Sequence, residues 1–131
     1  MSTFIDASVL AAIVGGEADE LTWTASVRDA SHPKTSAIAL WEAVRAITRL
    51  KKVDSVSALN DLQKFIGRAN IQVVDIGLRE SVEALRAHDR YGKGNHKAKL
   101  NMGDCFAYAC AKTNNARLIY KGDDFAQTDL A

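Results

Sequence analysis

Short apolar runs and longer periodic stretches alternate along the chain. Three short runs predict β-strands: Thr3–Ile5, Ile71–Val74 and Leu118–Tyr120. The stretches between them are predicted as helices, several of which repeat an apolar residue every three or four positions. The predicted helices cover residues 7–14, 17–30, 37–50, 54–67, 78–91 and 101–113. Residues 34–36, after the break at Pro33, are too short to be assigned beyond a loop or an edge strand.

The order of these elements predicts the fold class. Strands separated by helices, with no hairpin signal such as Asn-Gly between them, favour a parallel sheet covered by helices. We therefore expect an α/β fold with an excess of helix. Ligands of such sheets bind outside the carboxyl ends of the strands, so the polar residues that follow each strand are the candidates for a functional site.

Composition narrows the class of protein. A chain of 131 residues, 47% of them hydrophobic, has the size of one domain, which we expect to span residues 1–131. Seventeen Lys and Arg against sixteen Asp and Glu give a net charge of +1, which excludes a globally basic nucleic-acid coat protein. No run reaches the ~18 apolar residues of a membrane span, and no signal-like segment opens the chain. Cys105 and Cys110 are spaced for neither an intrahelical disulfide nor a zinc site, so we expect a cytoplasmic protein.

Five acidic residues are embedded in apolar sequence: Asp6, Glu42, Asp75, Asp104 and Asp124. An unpaired carboxylate is costly to bury, so each of them requires an explanation. Asp6 and Asp75 are placed to cap helices, Asp104 stands in a predicted first turn, and Asp124 follows a strand where it would close a turn. Glu42 lies in the middle of a helix without a cation four residues later, and no structural role explains it.

The predicted topology brings four of these acids together. Asp6 and Asp124 follow the first and last strands, and Asp104 opens the helix before the last strand. These positions meet at one edge of a parallel sheet, where Glu42 would face them from a packed helix. Several adjacent carboxylates cannot all stay ionised without a cation. An oxygen-rich site of this kind suits Mg²⁺ or Mn²⁺.

A basic segment precedes Asp104. Residues 86–99 carry five Lys and Arg but one Asp, a net charge of +4. Lys93, Lys97 and Lys99 lie in its glycine-containing second half, which is predicted as a loop. The loop is either ordinary solvated surface or a positive border that holds the phosphates of a polyanion beside the metal.

Several segments, in the same order along the chain, resemble the PIN-domain ribonucleases, and most of all the VapC toxins of bacterial toxin–antitoxin pairs. They are Phe4–Leu10, Glu42 in its helix, Gly92–His96 with Leu100–Ala109, and Lys121–Phe125. The resemblance extends over essentially the whole chain, and residues 100–109 are its most specific part. It implies a three-layer α/β/α fold with a central, mainly parallel sheet, and an acidic Mg²⁺ or Mn²⁺ site that cleaves RNA.

The resemblance also implies roles for individual residues. Asp6, Glu42 and Asp104 match the first three acids of the family. Asp124 is the preferred fourth acid, and its neighbour Asp123 is the alternative. We expect Asp6 and Asp104 to hold the metal directly, and the other two acids to complete the site or to hold its waters.

Further implications concern support, substrate and partners. Ser8 matches the small hydroxyl residue that supports the first acid, and Lys93, Lys97 and Lys99 would bind RNA phosphates. No organic cofactor is implied. A toxin of this kind would be neutralised by a cognate antitoxin protein, and it would form a homodimer and a higher toxin–antitoxin complex without a membrane.

Two other classes of protein compete with this interpretation. An aspartate-based phosphotransfer or receiver-like signalling domain fits Asp75 and Lys121 superficially, since both follow strands. Receivers, however, carry a second acid near Asp6, and Ser8 stands where a haloacid-dehalogenase-like site has its second Asp. The other candidate is a catalytically idle RNA- or partner-binding module that keeps a metal for structure. Metal-dependent cleavage of RNA would distinguish the nuclease from both.

Overall fold

A computed structural model describes residues 1–131 as four strands and six helices. In chain order they are β1 (Ser2–Ile5), α1 (Ala7–Val14), α2 (Glu20–Arg28), β2 (Pro33–Ser36), α3 (Ala37–Lys51), α4 (Ser55–Arg68), β3 (Gln72–Val74), α5 (Leu78–Tyr91), α6 (Met102–Thr113) and β4 (Ala116–Ile119). None of the helices is long and apolar enough to cross a lipid bilayer.

The four strands form one sheet in the order β3-β2-β1-β4, and every neighbouring pair is parallel. Crossovers between parallel strands are right-handed. The chain moves one way across the sheet from β1 to β3 and the other way from β3 to β4. The helices α1–α4 therefore cover one face, and α5 and α6 cover the other. The predicted α/β class and three-layer arrangement are confirmed.

The assignment of residues 34–36 to a loop or an edge strand is wrong. Pro33–Ser36 is an interior strand, because Lys34 pairs with Phe4 of β1 on one side and with Gln72 of β3 on the other. Thr35 is fully buried, and its hydroxyl donates a hydrogen bond to the carbonyl of Ile5 at 3.0 Å. A strand can be buried without an apolar run in its sequence when its polar side chains are hydrogen-bonded in this way. The hydrophobic pattern therefore does not reveal β2.

The predicted helix positions are confirmed, with changes at some ends. The second helix begins at Glu20 instead of residue 17, because residues 17–19 form the turn after α1. The prediction that Asp75 caps α5 is wrong. Gly77 is the N-cap of that helix, and its N–H donates to Glu80 Oε1 at 2.9 Å.

The core fills the space between the sheet and its helices. Its fully buried side chains include Phe4 and Ile5 of β1, Leu10 of α1 and Ile47 of α3. The buried face of α3 consists of small residues and Ile47, whereas Trp41 stays 63% exposed, so the apolar stripe of α3 faces the core only in part. The starts of α3 and α6 come together, since Glu42 of α3 contacts Gly103 of α6.

Candidate active site

The carboxyl ends of β1 and β4, which are neighbours in the sheet, lie side by side. Ile5 of β1 pairs with Ile119 of β4, and the N–H of Asp6 donates to the carbonyl of Ile119 at 3.1 Å. Asp6 follows β1 directly, and Asp124 lies on the loop that follows β4. The starts of α3 and α6 lie at the same edge, since α3 follows β2 directly and its Glu42 contacts Gly103 of α6.

Asp6 is both a helix cap and a site residue. Its Oδ2 accepts hydrogen bonds from the Ser8 N–H at 3.1 Å and from the Ser8 hydroxyl at 2.6 Å. The Ser8 Oγ in turn accepts the N–H of Lys121 at 2.9 Å. Because both bonds from Ser8 end on Oδ2, Oδ1 of this buried carboxylate is left for another ligand.

Asp104, at the start of α6, is likewise both a helix-capping residue and a candidate site residue. It forms a capping box with Asn101: Asp104 Oδ2 accepts the Asn101 N–H at 3.1 Å, and Asn101 Oδ1 accepts the Asp104 N–H at 2.8 Å. The cap fixes the orientation of the carboxylate and again uses Oδ2, so that Oδ1 takes no part in it.

Glu42 is half-buried next to the start of α6 and forms no hydrogen bond or ion pair with the protein. Its carboxylate rests directly against Gly103, so closely that a Cβ atom at position 103 would overlap it. The absence of a side chain at Gly103 is therefore what gives the Glu42 carboxylate its space beside Asp104.

The pKa values of three acids are raised. Burial raises the pKa of Glu42 to about 7, with further contributions from the charges of Asp6, Asp104 and Asp124. Burial likewise raises the pKa of Asp104 to about 6, against the hydrogen bond from Asn101, with smaller contributions from Asp124 and Asp6. The pKa of Asp6 is raised mainly by burial, which the hydrogen bonds from Ser8 oppose.

These electrostatic effects show which acids lie near one another. Besides burial, the charges of Asp6, Asp104 and Asp124 raise the pKa of Glu42, and the charge of Asp124 raises the pKa of Asp6 and of Asp104. The alternative fourth acid, Asp123, is not among these charges. No Lys, Arg or His forms an ion pair with any of the four. Asp75 is exposed at the end of β3 and is not part of this group.

The donor set fits a hard divalent cation. All available ligands are carboxylate oxygens without a compensating positive charge, which is the chemistry that Mg²⁺ and Mn²⁺ require. As the side chains stand, no three His, Cys, Asp or Glu residues are arranged to ligate one ion together. Mg²⁺ is commonly held by one or two carboxylates with waters in its remaining positions. The Oδ1 atoms of Asp6 and Asp104 suit such an open site.

The basic segment forms a loop whose two ends are joined by backbone hydrogen bonds. The Lys93 N–H donates to the Leu100 carbonyl at 3.0 Å, and the Leu100 N–H donates to the Tyr91 carbonyl at 3.1 Å. Lys93, Lys97 and Lys99 are exposed and form no ion pair. The loop runs directly into the capping box of α6, which begins at Asn101.

Two features near the site are not predicted from the sequence. The first is the ion pairs that Lys121 forms with Glu17 and Asp19. No signal links residues so far apart in sequence. The second, Gly103, did leave a signal, because glycine in a helix is disfavoured and requires a local reason.

Comparisons with known proteins point to the family that the sequence resembles. The family model described as the PIN domain matches residues 3–130. The chain is 40% identical to a VapC ribonuclease of Rhizobium meliloti, over 98% of this chain and 99% of that protein. It is 36% identical to a ribonuclease VapC of Mycolicibacterium smegmatis, over 97% and 96%. Among solved structures, the fold resembles that of Mycobacterium tuberculosis VapC20, a sarcin–ricin loop cleaving toxin, with a TM-score of 0.77 at 17% identity, covering 95% of this chain and 93% of that one.

Proposed function

The chain belongs to the PIN-domain family and to its VapC ribonucleases, and we propose that it cleaves RNA with a divalent cation held by Asp6 and Asp104. As a VapC protein it is an RNA-cleaving hydrolase, the toxin of a toxin–antitoxin pair. The observation that carries the metal proposal is geometric. The Glu42 carboxylate contacts Gly103, next to Asp104, and neither these two acids nor Asp6 forms an ion pair with a Lys, Arg or His.

The four acids take different roles in this proposal. Asp6 and Asp104 bind the cation, since the bonds that Ser8 and Asn101 make to their Oδ2 atoms hold them in place. The cation, Mg²⁺ or Mn²⁺, would lower the pKa of a water molecule and neutralise the charge of the scissile phosphate. Asp124 or Glu42 orients the attacking water as a general base.

The products follow from this geometry of attack. Water adds to phosphorus in line with the leaving 3′-oxygen, and the bond between phosphorus and that oxygen breaks. The ribose 2′-hydroxyl is not the nucleophile, so the ends are a 5′-phosphate and a 3′-hydroxyl. Lys93, Lys97 and Lys99 hold flanking phosphates from the exposed loop.

The biological setting is part of the same proposal. A cognate antitoxin protein neutralises the toxin, and the toxin forms a homodimer within a larger toxin–antitoxin complex. The site of action is the cytoplasm, which the two free, buried cysteines support, because thiols stay reduced there.

End-group analysis of cleaved RNA tests the chemistry. The protein should leave 5′-phosphate ends in Mg²⁺ or Mn²⁺ and should lose activity in EDTA. Asp104→Asn should abolish cleavage while the protein stays folded. Asp75→Asn is the control, because it makes the same change at an exposed acid that follows β3 and lies outside the acidic group. A 2′,3′-cyclic phosphate, or full activity of Asp104→Asn, would refute the proposed mechanism.

A further inference from the structure

The loop that carries Asp124 is attached to the far side of the site by Lys121. The Lys121 ammonium forms ion pairs with Glu17 and with Asp19, the latter at 2.9 Å, in the turn between α1 and α2. Asp19 is itself held, because its other oxygen accepts the Trp23 indole N–H at 2.9 Å. One side chain therefore joins the end of β4 to the turn after α1.

We propose that Lys121 is a positioning residue for the metal site, a role that rests on the proposed metal-dependent function. Because Glu17 and Asp19 hold the Lys121 ammonium, the backbone N–H of Lys121 stays hydrogen-bonded to Ser8 Oγ. Through Ser8 it sets the orientation of Asp6.

The hydrogen bonds that transmit this effect are short and directional. The Lys121 N–H donates to Ser8 Oγ at 2.9 Å, and the Ser8 hydroxyl donates to Asp6 Oδ2 at 2.6 Å. A hydroxyl has one proton. Because Ser8 Oγ accepts from Lys121, its proton is directed to Asp6, and Oδ1 of Asp6 is kept for the cation.

The same attachment restrains the loop that carries Asp124. Gly122 has a φ of +97°, which allows the chain to turn sharply after Lys121. Beyond the turn, Phe125 is fully buried and its ring packs against that of Tyr120 with centroids 5.1 Å apart. Asp124 is thus held between two anchors, the Lys121 ion pairs and the buried Phe125 ring.

Loss of these ion pairs should weaken metal binding more than it lowers the stability of the fold. The side chains of Lys121, Glu17 and Asp19 are 34%, 28% and 40% exposed, and ion pairs of this exposure stabilise a fold weakly. Residues that hydrogen-bond a metal ligand change metal affinity by about tenfold or more. Ser8 is such a residue for Asp6, and Lys121 acts on metal affinity through its hydrogen bond to Ser8.

Titration of Mn²⁺ into the full-length protein, followed by calorimetry, tests this role. Lys121→Met should weaken Mn²⁺ affinity about tenfold, and Lys121→Arg should restore most of it. The pair Glu17→Gln and Asp19→Asn should reproduce the loss without touching Lys121. Lys112→Met is the matched control, since Lys112 is 38% exposed and forms an ion pair with Asp129 at 2.7 Å away from the acidic group. It should bind Mn²⁺ as the unaltered protein does.

A second measurement needs no metal. Hydrogen exchange of the Lys121 amide should become faster in Lys121→Met and stay unchanged in Lys112→Met. Unchanged Mn²⁺ affinity in Lys121→Met, or unchanged exchange of that amide, would overturn the positioning role alone. Failure of the unaltered protein to bind Mn²⁺ would instead refute the proposed metal site, and this role with it.

Discussion

Gly103 lies in the first turn of α6, and the Glu42 carboxylate rests against it. Gly103→Ala should keep the fold, because the group that must move is the end of a flexible side chain and alanine favours a helix by about 0.5–1 kcal/mol. Displacing Glu42 should lower the cleavage rate by about one to two orders of magnitude, as small misplacements of catalytic groups do. Melting curves and single-turnover cleavage measure the two effects.

Gly67→Ala is the control for this substitution. Gly67 lies in α4, and a Cβ atom there would meet nothing within 4 Å. It should leave the cleavage rate unchanged and the stability equal or slightly higher. A Gly103→Ala protein with the parental rate would show that the position of Glu42 does not matter for cleavage.

Glu42 also predicts a pH dependence of stability. Its pKa is raised from 4.5 to about 7 in the folded protein, chiefly by burial and then by the neighbouring acids. The folded state thus binds this proton more tightly than the unfolded state. The stabilisation is fully present below pH 4.5 and is lost as the pH rises through about 7.

The difference between Glu42→Gln and the unaltered protein isolates this contribution. Without metal, the two should have similar free energies of unfolding below pH 4.5. At pH 8 the variant should be more stable by on the order of 1–3 kcal/mol, a value reduced from the full pKa shift because Glu42 is only half-buried and solvent screens its charge. Urea denaturation in EDTA at several pH values measures this. A difference that does not change with pH would contradict the raised pKa.

At the scale of elements, apolar periodicity in the sequence predicts the helices and the apolar strands. It does not predict a strand whose buried polar side chains are satisfied by local hydrogen bonds. The helices and three strands follow from their patterns. β2 does not, because Thr35 is buried with its hydroxyl bound to a carbonyl of β1. Four of the five acids in apolar sequence belong to the candidate site, but Asp75 is exposed and does not. Only the tertiary structure decides which strand ends meet the helix starts.

The basic loop is the element whose charge is proposed to contact substrate. Changing Lys93, Lys97 and Lys99 to Gln should weaken RNA binding and reduce the slope of log K against log salt by up to about 2, for three contacts to a single strand. Mn²⁺ affinity should stay the same. Binding titrations at several salt concentrations measure the slope.

The control removes the same charge elsewhere. Lys51, Lys52 and Lys64 are exposed on α3, α4 and the connection between them. Their joint replacement by Gln should lower RNA affinity less and leave the slope closer to that of the unaltered protein. Equal effects of the two triple variants would mean that the protein attracts RNA through its overall charge.

At the scale of the molecule, the topology explains why residues distant in sequence form one site. β1 and β4 are neighbours, so Asp6 and the loop with Asp124 lie at the same edge. Right-handed crossovers place α3 and α6 on opposite faces with their first turns at that edge. Glu42 and Asp104 therefore face the strand ends from both sides.

A site assembled in this way destabilises the metal-free fold, because burial and mutual repulsion raise the pKa values of its acids. Asp6→Asn should therefore raise the melting temperature in EDTA, since an Asn oxygen still accepts the bonds from Ser8. Mn²⁺ at a hundredfold excess over its Kd should stabilise the unaltered protein by about 2.7 kcal/mol, a shift on the order of 10 °C for a domain of this size. Asp6→Asn should lose that shift, and Asp75→Asn should keep it. Calorimetric melting with and without Mn²⁺ separates the two effects, and a full Mn²⁺ shift in Asp6→Asn would exclude Asp6 as a metal ligand.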